Sequence, residues 1–243
     1  MCSKQVGHTG AWLLTSCIPS RNGSKIKAMS RKDQSLIEEA ANSITHGFGL
    51  LLSVTGLLIL VASAGISGDI WRVACFSIYG GSLIILYAAS TLYHAFPRGR
   101  AKNIFKTIDH SAIYILIAGS YTPFALISVR GAWGWALFGA IWAIALSGIA
   151  FKIFFDIDRF IVLSTVIYLI MGWLAVIAVK PILNNVPFNG IVLLIAGGVL
   201  YTSGVFFHFF DKLNFHHAIW HIFVLGGSIC HYFAVLFYVL PVG

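Results

Sequence analysis

The chain has 243 residues, 58% of them hydrophobic and only 10% charged. A soluble domain carries about 25% charged residues, so the composition excludes a water-soluble globular protein and describes one that lives in lipid. The formal net charge is +8, but the Lys and Arg gather at the ends of apolar stretches and build no basic face, which excludes a nucleic-acid role.

Residues 1–35 form a polar, basic tail rich in Ser, Gly and Asn, without the uninterrupted apolar core of a signal peptide. It is predicted to be a disordered cytosolic tail ahead of one membrane domain, 36–243. Met29-Ser-Arg-Lys-Asp33 reads as an alternative start, which would make residues 1–28 an extension or a start-codon artefact. Seven apolar stretches follow, at about 47–66, 73–95, 108–128, 132–150, 160–179, 190–209 and 216–240. Each is long enough to cross a hydrocarbon core of about 30 Å. They are continuous rather than alternating, so the predicted fold is an all-α bundle of seven transmembrane helices, not a barrel.

Each connection carries a breaker or a charge cluster: Ser67-Gly68-Asp69, Pro97-Arg98-Gly99-Arg100, Arg130-Gly131, Asp156 to Arg159, Lys180-Pro181 and Asp211-Lys212. Pro123 lies well inside the third stretch and predicts a kink there. Gly80-Gly81, Gly197-Gly198 and Gly226-Gly227 suit close helix packing, and Trp71, Trp133, Trp135 and Trp173 suit interfacial or packing positions. Cys2, Cys17, Cys75 and Cys230 show no paired spacing, so no disulfide and no cysteine ligand is expected.

Assigning alternate connections to alternate sides puts every Lys and Arg except Arg72, Arg130 and Lys180 on one side. By the positive-inside rule the N-terminus is cytosolic and the C-terminus outside, in the cytoplasmic (inner) membrane. The excess positive charge then faces anionic headgroups, so membrane lipids are the expected partners.

Polar residues at the edge of the hydrocarbon need a reason. The second stretch ends Ser90-Thr-Leu-Tyr-His94, the third begins Asp109-His110, and the seventh begins His216-His217-Ala-Ile-Trp-His221. The topology, counted without histidines, places all three ends at the cytosolic boundary. His217 and His221 are four apart and share one helix face, as a chelating pair requires. With His94 they make three imidazole ligands, and Asp109 adds a carboxylate. Three protein ligands and one open position describe a catalytic Zn2+ site better than a structural one. His110 and His216 neighbour these residues but point elsewhere, which suits supporting the ligands or holding the helix ends. His231 lies ten residues beyond His221, about 15 Å along the axis, too far to join. His8, His46 and His208 read as snorkelling or hydrogen-bonded groups. Glu38, Glu39 and His46 also form a candidate group ahead of the first span that would cap the helix or hold the ligand imidazoles in place.

Together these segments resemble the hemolysin III branch of the progestin and adipoQ receptor (adiponectin receptor-like) family, in its bacterial form. The resemblance rests on Ser90-x3-His94, Asp109-His110-Ser-x-x-Tyr114 and His217-x3-His221. It extends to the stretch from Glu38 to Gly47 and to Gly119-Ser-Tyr-Thr-Pro-Phe124. It covers roughly residues 36–240 and leaves the tail unmatched. It implies seven helices with a cytosolic N-terminus and zinc held by His94, His217 and His221. It also implies that Asp109 stands close to a zinc-bound water, with Ser90 beside it.

The leading functional expectation is a zinc-dependent hydrolase of a lipid amide or ester at the cytosolic face, ceramidase-like, serving membrane lipid homeostasis. Asp109 would move the proton of the attacking water, and Ser90 would hydrogen-bond the water or the oxyanion. Two alternatives belong to other classes. One is a cytolytic, hemolysin-like membrane protein, against which seven fixed spans argue. The other is a non-catalytic receptor or channel-like protein in which zinc only ties helix ends together. A proton transporter is disfavoured, because no acidic residue falls at the middle of a predicted span.

Overall fold

The computed structural model describes residues 21–155, 160–210 and 212–240, with only the backbone described for 21–35. Among these residues seven helical segments are long and apolar enough to cross a membrane, and none forms a strand. Residues Met1–Glu38 and Glu39–Gly243 separate into two units, and the bundle is the second.

The first helix, α1, runs from Arg21 to Ile66, so its backbone reaches back into the basic segment. The rest of the expected tail, residues 1–20, lies outside the described residues. Helix α2 (Ile70–Ala95) is opened by Asp69, whose carboxylate accepts from Arg72 N–H at 3.0 Å, as an N-cap residue should. Helix α3 (Arg100–Pro123) starts eight residues before the expected 108. Residues 100–107 include Arg100, Lys102 and Lys106, so they are helical without being apolar, and a hydrophobic pattern cannot see them.

Pro123 has no N–H to give the preceding turn. The chain answers with a π-helical turn, Phe124–Val129, closed by Arg130 N–H to Ala125 O at 2.9 Å. Arg130 and Gly131 both take positive φ, 53° and 57°, and the reversal leads into α4 (Gly131–Phe154).

The fifth span is not one uniform helix. It comprises α5 (Ile161–Trp173), a 3₁₀ turn (Leu174–Ala178) and α6 (Val179–Asn185), ending six residues beyond the expected 179. The cause is visible in α3: the Tyr121 hydroxyl shares its proton between the Met171 and Gly172 carbonyls and accepts from Ala175 N–H, each at 2.9 Å. It takes over bonds that the helix would otherwise make to itself. Helices α7 (Phe188–Phe209) and α8 (His216–Tyr238) complete the bundle.

Helices α2 and α3 form its centre: 56% and 67% of their apolar windows are buried, against 17–33% for the other five spans. Tyr79, Leu83, Leu86 and Tyr87 of α2 and Ala112 and Leu116 of α3 sit in the core. The outer surface is a belt of bare apolar side chains, among them Leu51, Leu146, Val192 and Ile222. In water such a surface would aggregate; in hydrocarbon it is the expected exterior. Backbone contact inside is close. A methyl group on Gly80 would strike Leu57, one on Gly197 would strike His231, and one on Gly227 would strike Tyr201.

Candidate metal centre

Three helices deliver the histidines and their supports to one end of the bundle. His94 is the second-last residue of α2, while His217 and His221 lie one turn apart at the start of α8. Helix α1 supplies Glu39, Asn42, Thr45 and His46, which lie on one face by their three- and four-residue spacing.

One ring nitrogen from each of His94, His217 and His221 lies within 4.8 Å of the other two. The ring centroids are 5.0, 5.1 and 4.6 Å apart for the pairs 94–217, 94–221 and 217–221. The far nitrogens of His94 and His221 are anchored. His94 Nδ1–H donates to Glu39 Oε2 at 2.7 Å, and Glu39 Oε1 accepts from Lys102 Nζ at 2.9 Å. His221 Nδ1 lies 3.2 Å from the Asn42 carbonyl and 3.3 Å from Thr45 Oγ1. A proton on Nδ1 leaves Nε2 as a bare lone pair, and the Nε2 atoms of all three rings are buried without a hydrogen-bond partner.

Burying a polar atom unpaired costs free energy, and three converging lone pairs would multiply that cost without a cation between them. The donor set therefore fits a metal ion. The Glu39–His94 pair is the carboxylate–histidine arrangement that orients a ligating imidazole. His46, 2% exposed, stacks on His221 at 3.5 Å and meets the Tyr87 ring edge-on at 5.0 Å. It braces the ligand ring and adds no atom to the three-nitrogen group.

Asp109 is buried on the wall of an adjoining cavity and makes no hydrogen bond or ion pair to the three imidazoles. Ser90 is wholly buried beside the Asp109 carboxyl, and no well-aligned hydrogen bond joins the two. His110 also lines the cavity, and its carbonyl accepts from the Tyr168 hydroxyl at 2.8 Å. His216 points its Nδ1 at the Phe207 carbonyl, 3.2 Å away, and so ties α8 to α7. Glu38 falls in the first unit, while its neighbour Glu39 holds His94. His208 is not an isolated surface group: it packs on Trp220 at 4.6 Å and lies 5.7 Å from His217.

Asn42 and Thr45 join the site through the fold, not through any motif of their own. The signal that could have found them is the recurrence of polar residues at 39, 42, 45 and 46 on one face of an otherwise apolar helix.

The cavity leads away from the histidine end between α3, α5, α7 and α8, and ends near Gly198 and His231. It holds about 130 Å3 open to the centres of water-sized molecules. Most of its hydroxyls are turned into backbone. Ser120 donates to Ile117 O, Thr165 to Ile161 O and Thr202 to Gly198 O, and the Tyr121 hydroxyl is occupied by α5. The wall is therefore mainly hydrocarbon, with its charge and imidazole groups mostly at the histidine end.

A protein family described as haemolysin-III related matches residues 34–232. The chain is 51% identical over 213 residues to "Hemolysin-3" of Bacillus cereus, covering 88% of this chain and 97% of that one. It is 51% identical over 205 residues to "Hemolysin-3 homolog" of Bacillus subtilis (strain 168), covering 84% and 96%. It is also 30% identical over 214 residues to the human "Monocyte to macrophage differentiation factor", covering 86% and 87%. A match over most of the bundle and two near-full-length relatives at this identity leave one conclusion: the chain belongs to the haemolysin-III-related family of multi-pass membrane proteins.

Proposed function

We propose that the protein is a zinc-dependent hydrolase that cleaves an amide or ester bond of a membrane lipid at the cytosolic face. The observation that carries this reading is the meeting of three orphaned imidazole nitrogens with a largely apolar cavity that has a buried carboxyl group, Asp109, on its wall. His94, His217 and His221 would hold the ion; three neutral nitrogen ligands suit zinc and leave a position open. Zinc, when bound, supplies Lewis acidity and lowers the pKa of water to about 7.

The chain's own residues do the rest. Glu39 fixes the His94 ring, and the Asn42 carbonyl fixes His221. Asp109 takes a proton from the attacking water on its carboxylate and returns it to the leaving amine or alcohol. Ser90 steadies the Asp109 carboxyl or donates to the developing oxyanion. The apolar part of the wall takes the acyl chain.

The test uses purified protein in lipid nanodiscs, loaded with zinc and supplied with N-acyl and O-acyl lipids in 18O-labelled water. Released fatty acid should carry 18O in its carboxylate with the wild type. Release should fall by roughly a hundredfold or more in Asp109→Asn, with zinc content unchanged. Label in neither protein would end the hydrolase reading and leave a metal that only joins helix ends; equal label in both would remove Asp109 from the reaction.

A further inference from the structure

One ammonium group ties three helices together around His94. Lys102 is the third residue of α3, and its Nζ donates to Glu39 Oε1 of α1 at 2.9 Å and to the Phe96 carbonyl at 3.3 Å. Phe96 caps α2 two residues beyond His94. The same Nζ lies 4.9 Å from the centre of the ring of Tyr93, the residue just before His94. The other oxygen of the shared carboxylate, Glu39 Oε2, accepts from His94 Nδ1–H at 2.7 Å.

A lysine in the first turn of a helix stands at the wrong end of the macrodipole, where carboxylates are favoured and cations are not. A lysine kept at a membrane edge only for its charge would snorkel toward water. Lys102 does the opposite: its side chain is 14% exposed and turns inward to a carboxylate that is 33% exposed. That carboxylate needs a second hold. Glutamate is long and rich in rotamers, and with a third of its surface open it can swing out to water. An ammonium on the second oxygen adds a charge-assisted bond, about twice as strong as a neutral one, and restricts the rotation of the carboxyl group. Held in this way, the carboxylate keeps the proton of His94 on Nδ1 and the bare Nε2 available to the cluster.

We propose that Lys102 is a positioning residue of the metal centre: by holding the Glu39 carboxylate against His94, it raises the affinity of the three histidines for their ion. The role deepens the metal reading of His94, His217 and His221, on which it rests, and is independent of hydrolysis. Its sign sets it apart from plain electrostatics. By charge alone an ammonium near a cation site repels the incoming ion, so removing it would tighten binding. Positioning predicts the reverse.

The test is zinc affinity of the purified full-length protein, read by competition with a chelator, in Lys102→Met, Glu39→Gln and the double variant. Lys102→Met keeps the length of the side chain and removes its charge. Zinc should then bind roughly threefold to tenfold more weakly, a smaller loss than Glu39→Gln itself should give. In the Glu39→Gln background the same change should cost nothing further, because Lys102 acts through that carboxylate.

Unchanged or tighter binding in Lys102→Met would overturn the assignment. So would an equal loss in both backgrounds, the mark of a general distortion of the helix ends. The same titration in His217→Ala separates the two failures. Zinc bound there as tightly as in the wild type would end the metal reading and the Lys102 role with it. Zinc lost there but unmoved in Lys102→Met would overturn the Lys102 role alone.

Discussion

The two ends of the bundle treat polar atoms in opposite ways. Where α2 begins, polar groups are settled close to home. Asp69 caps its helix through Arg72 N–H and pairs with Arg72 Nη1 at 3.5 Å, Trp71 Nε1 donates to Leu126 O, and Arg130 Nε donates to Ile127 O. Where α2 ends, His94 and His221 have one nitrogen anchored and the other left bare, and these bare atoms converge with that of His217. The first pattern is what a fold needs to hold a turn at a membrane surface. The second is costly as architecture and makes sense as a receptacle.

Breaking the receptacle should therefore cost ligand, and breaking the cap should cost only stability. The largest effect belongs to His217→Ala. Purified wild type should carry about one zinc per chain by elemental analysis, and the variant should lose nearly all of it while remaining helical by circular dichroism. Unchanged metal content would show that the converging nitrogens serve packing alone.

Glu39→Gln comes next. It keeps the size of the side chain and weakens the grip on His94 Nδ1, so zinc affinity should fall by roughly 10- to 100-fold in a chelator competition. An unaltered affinity would mean that Glu39 serves Lys102 and the helix surface, and the contrast between the two ends would lose half its basis.

The smallest effect is expected at the other end. Asp69→Ala should lower stability by about 1 kcal/mol, the usual worth of an N-cap, and leave zinc content untouched. A drop in zinc there would show that the two ends are coupled through α2.

The seven spans were legible because hydrocarbon leaves the backbone few choices, and a run of about 20 apolar residues announces itself. The boundaries were less legible where the cause was not hydropathy. Residues 100–107 are helical but basic, and α5 is interrupted by a hydroxyl that arrives from Tyr121, some fifty positions earlier in the chain. The kink expected at Pro123 takes the form of a π turn, since a missing N–H says that the ladder must change but not into which register.

The candidate site divides in the same way. His217 and His221 could be paired from sequence because their spacing is local: four residues make about one turn whatever lies around them. That His94 stands opposite them also followed from the order of spans, which brings the end of the second to the start of the seventh. The choice of Glu39 over Glu38 could not be read, because successive residues on a helix differ by about 100° in direction and only the packed bundle fixes the rotation of α1. For the same reason Asp109, chemically suited to sit among the imidazoles, is found on the cavity wall beside Ser90, and His46 lies flat on His221. The sequence by itself determined what must be buried in lipid and which side chains reach one end. Rotation and approach of the helices, set by close packing at Gly80, Gly197 and Gly227, decided which of those side chains meet.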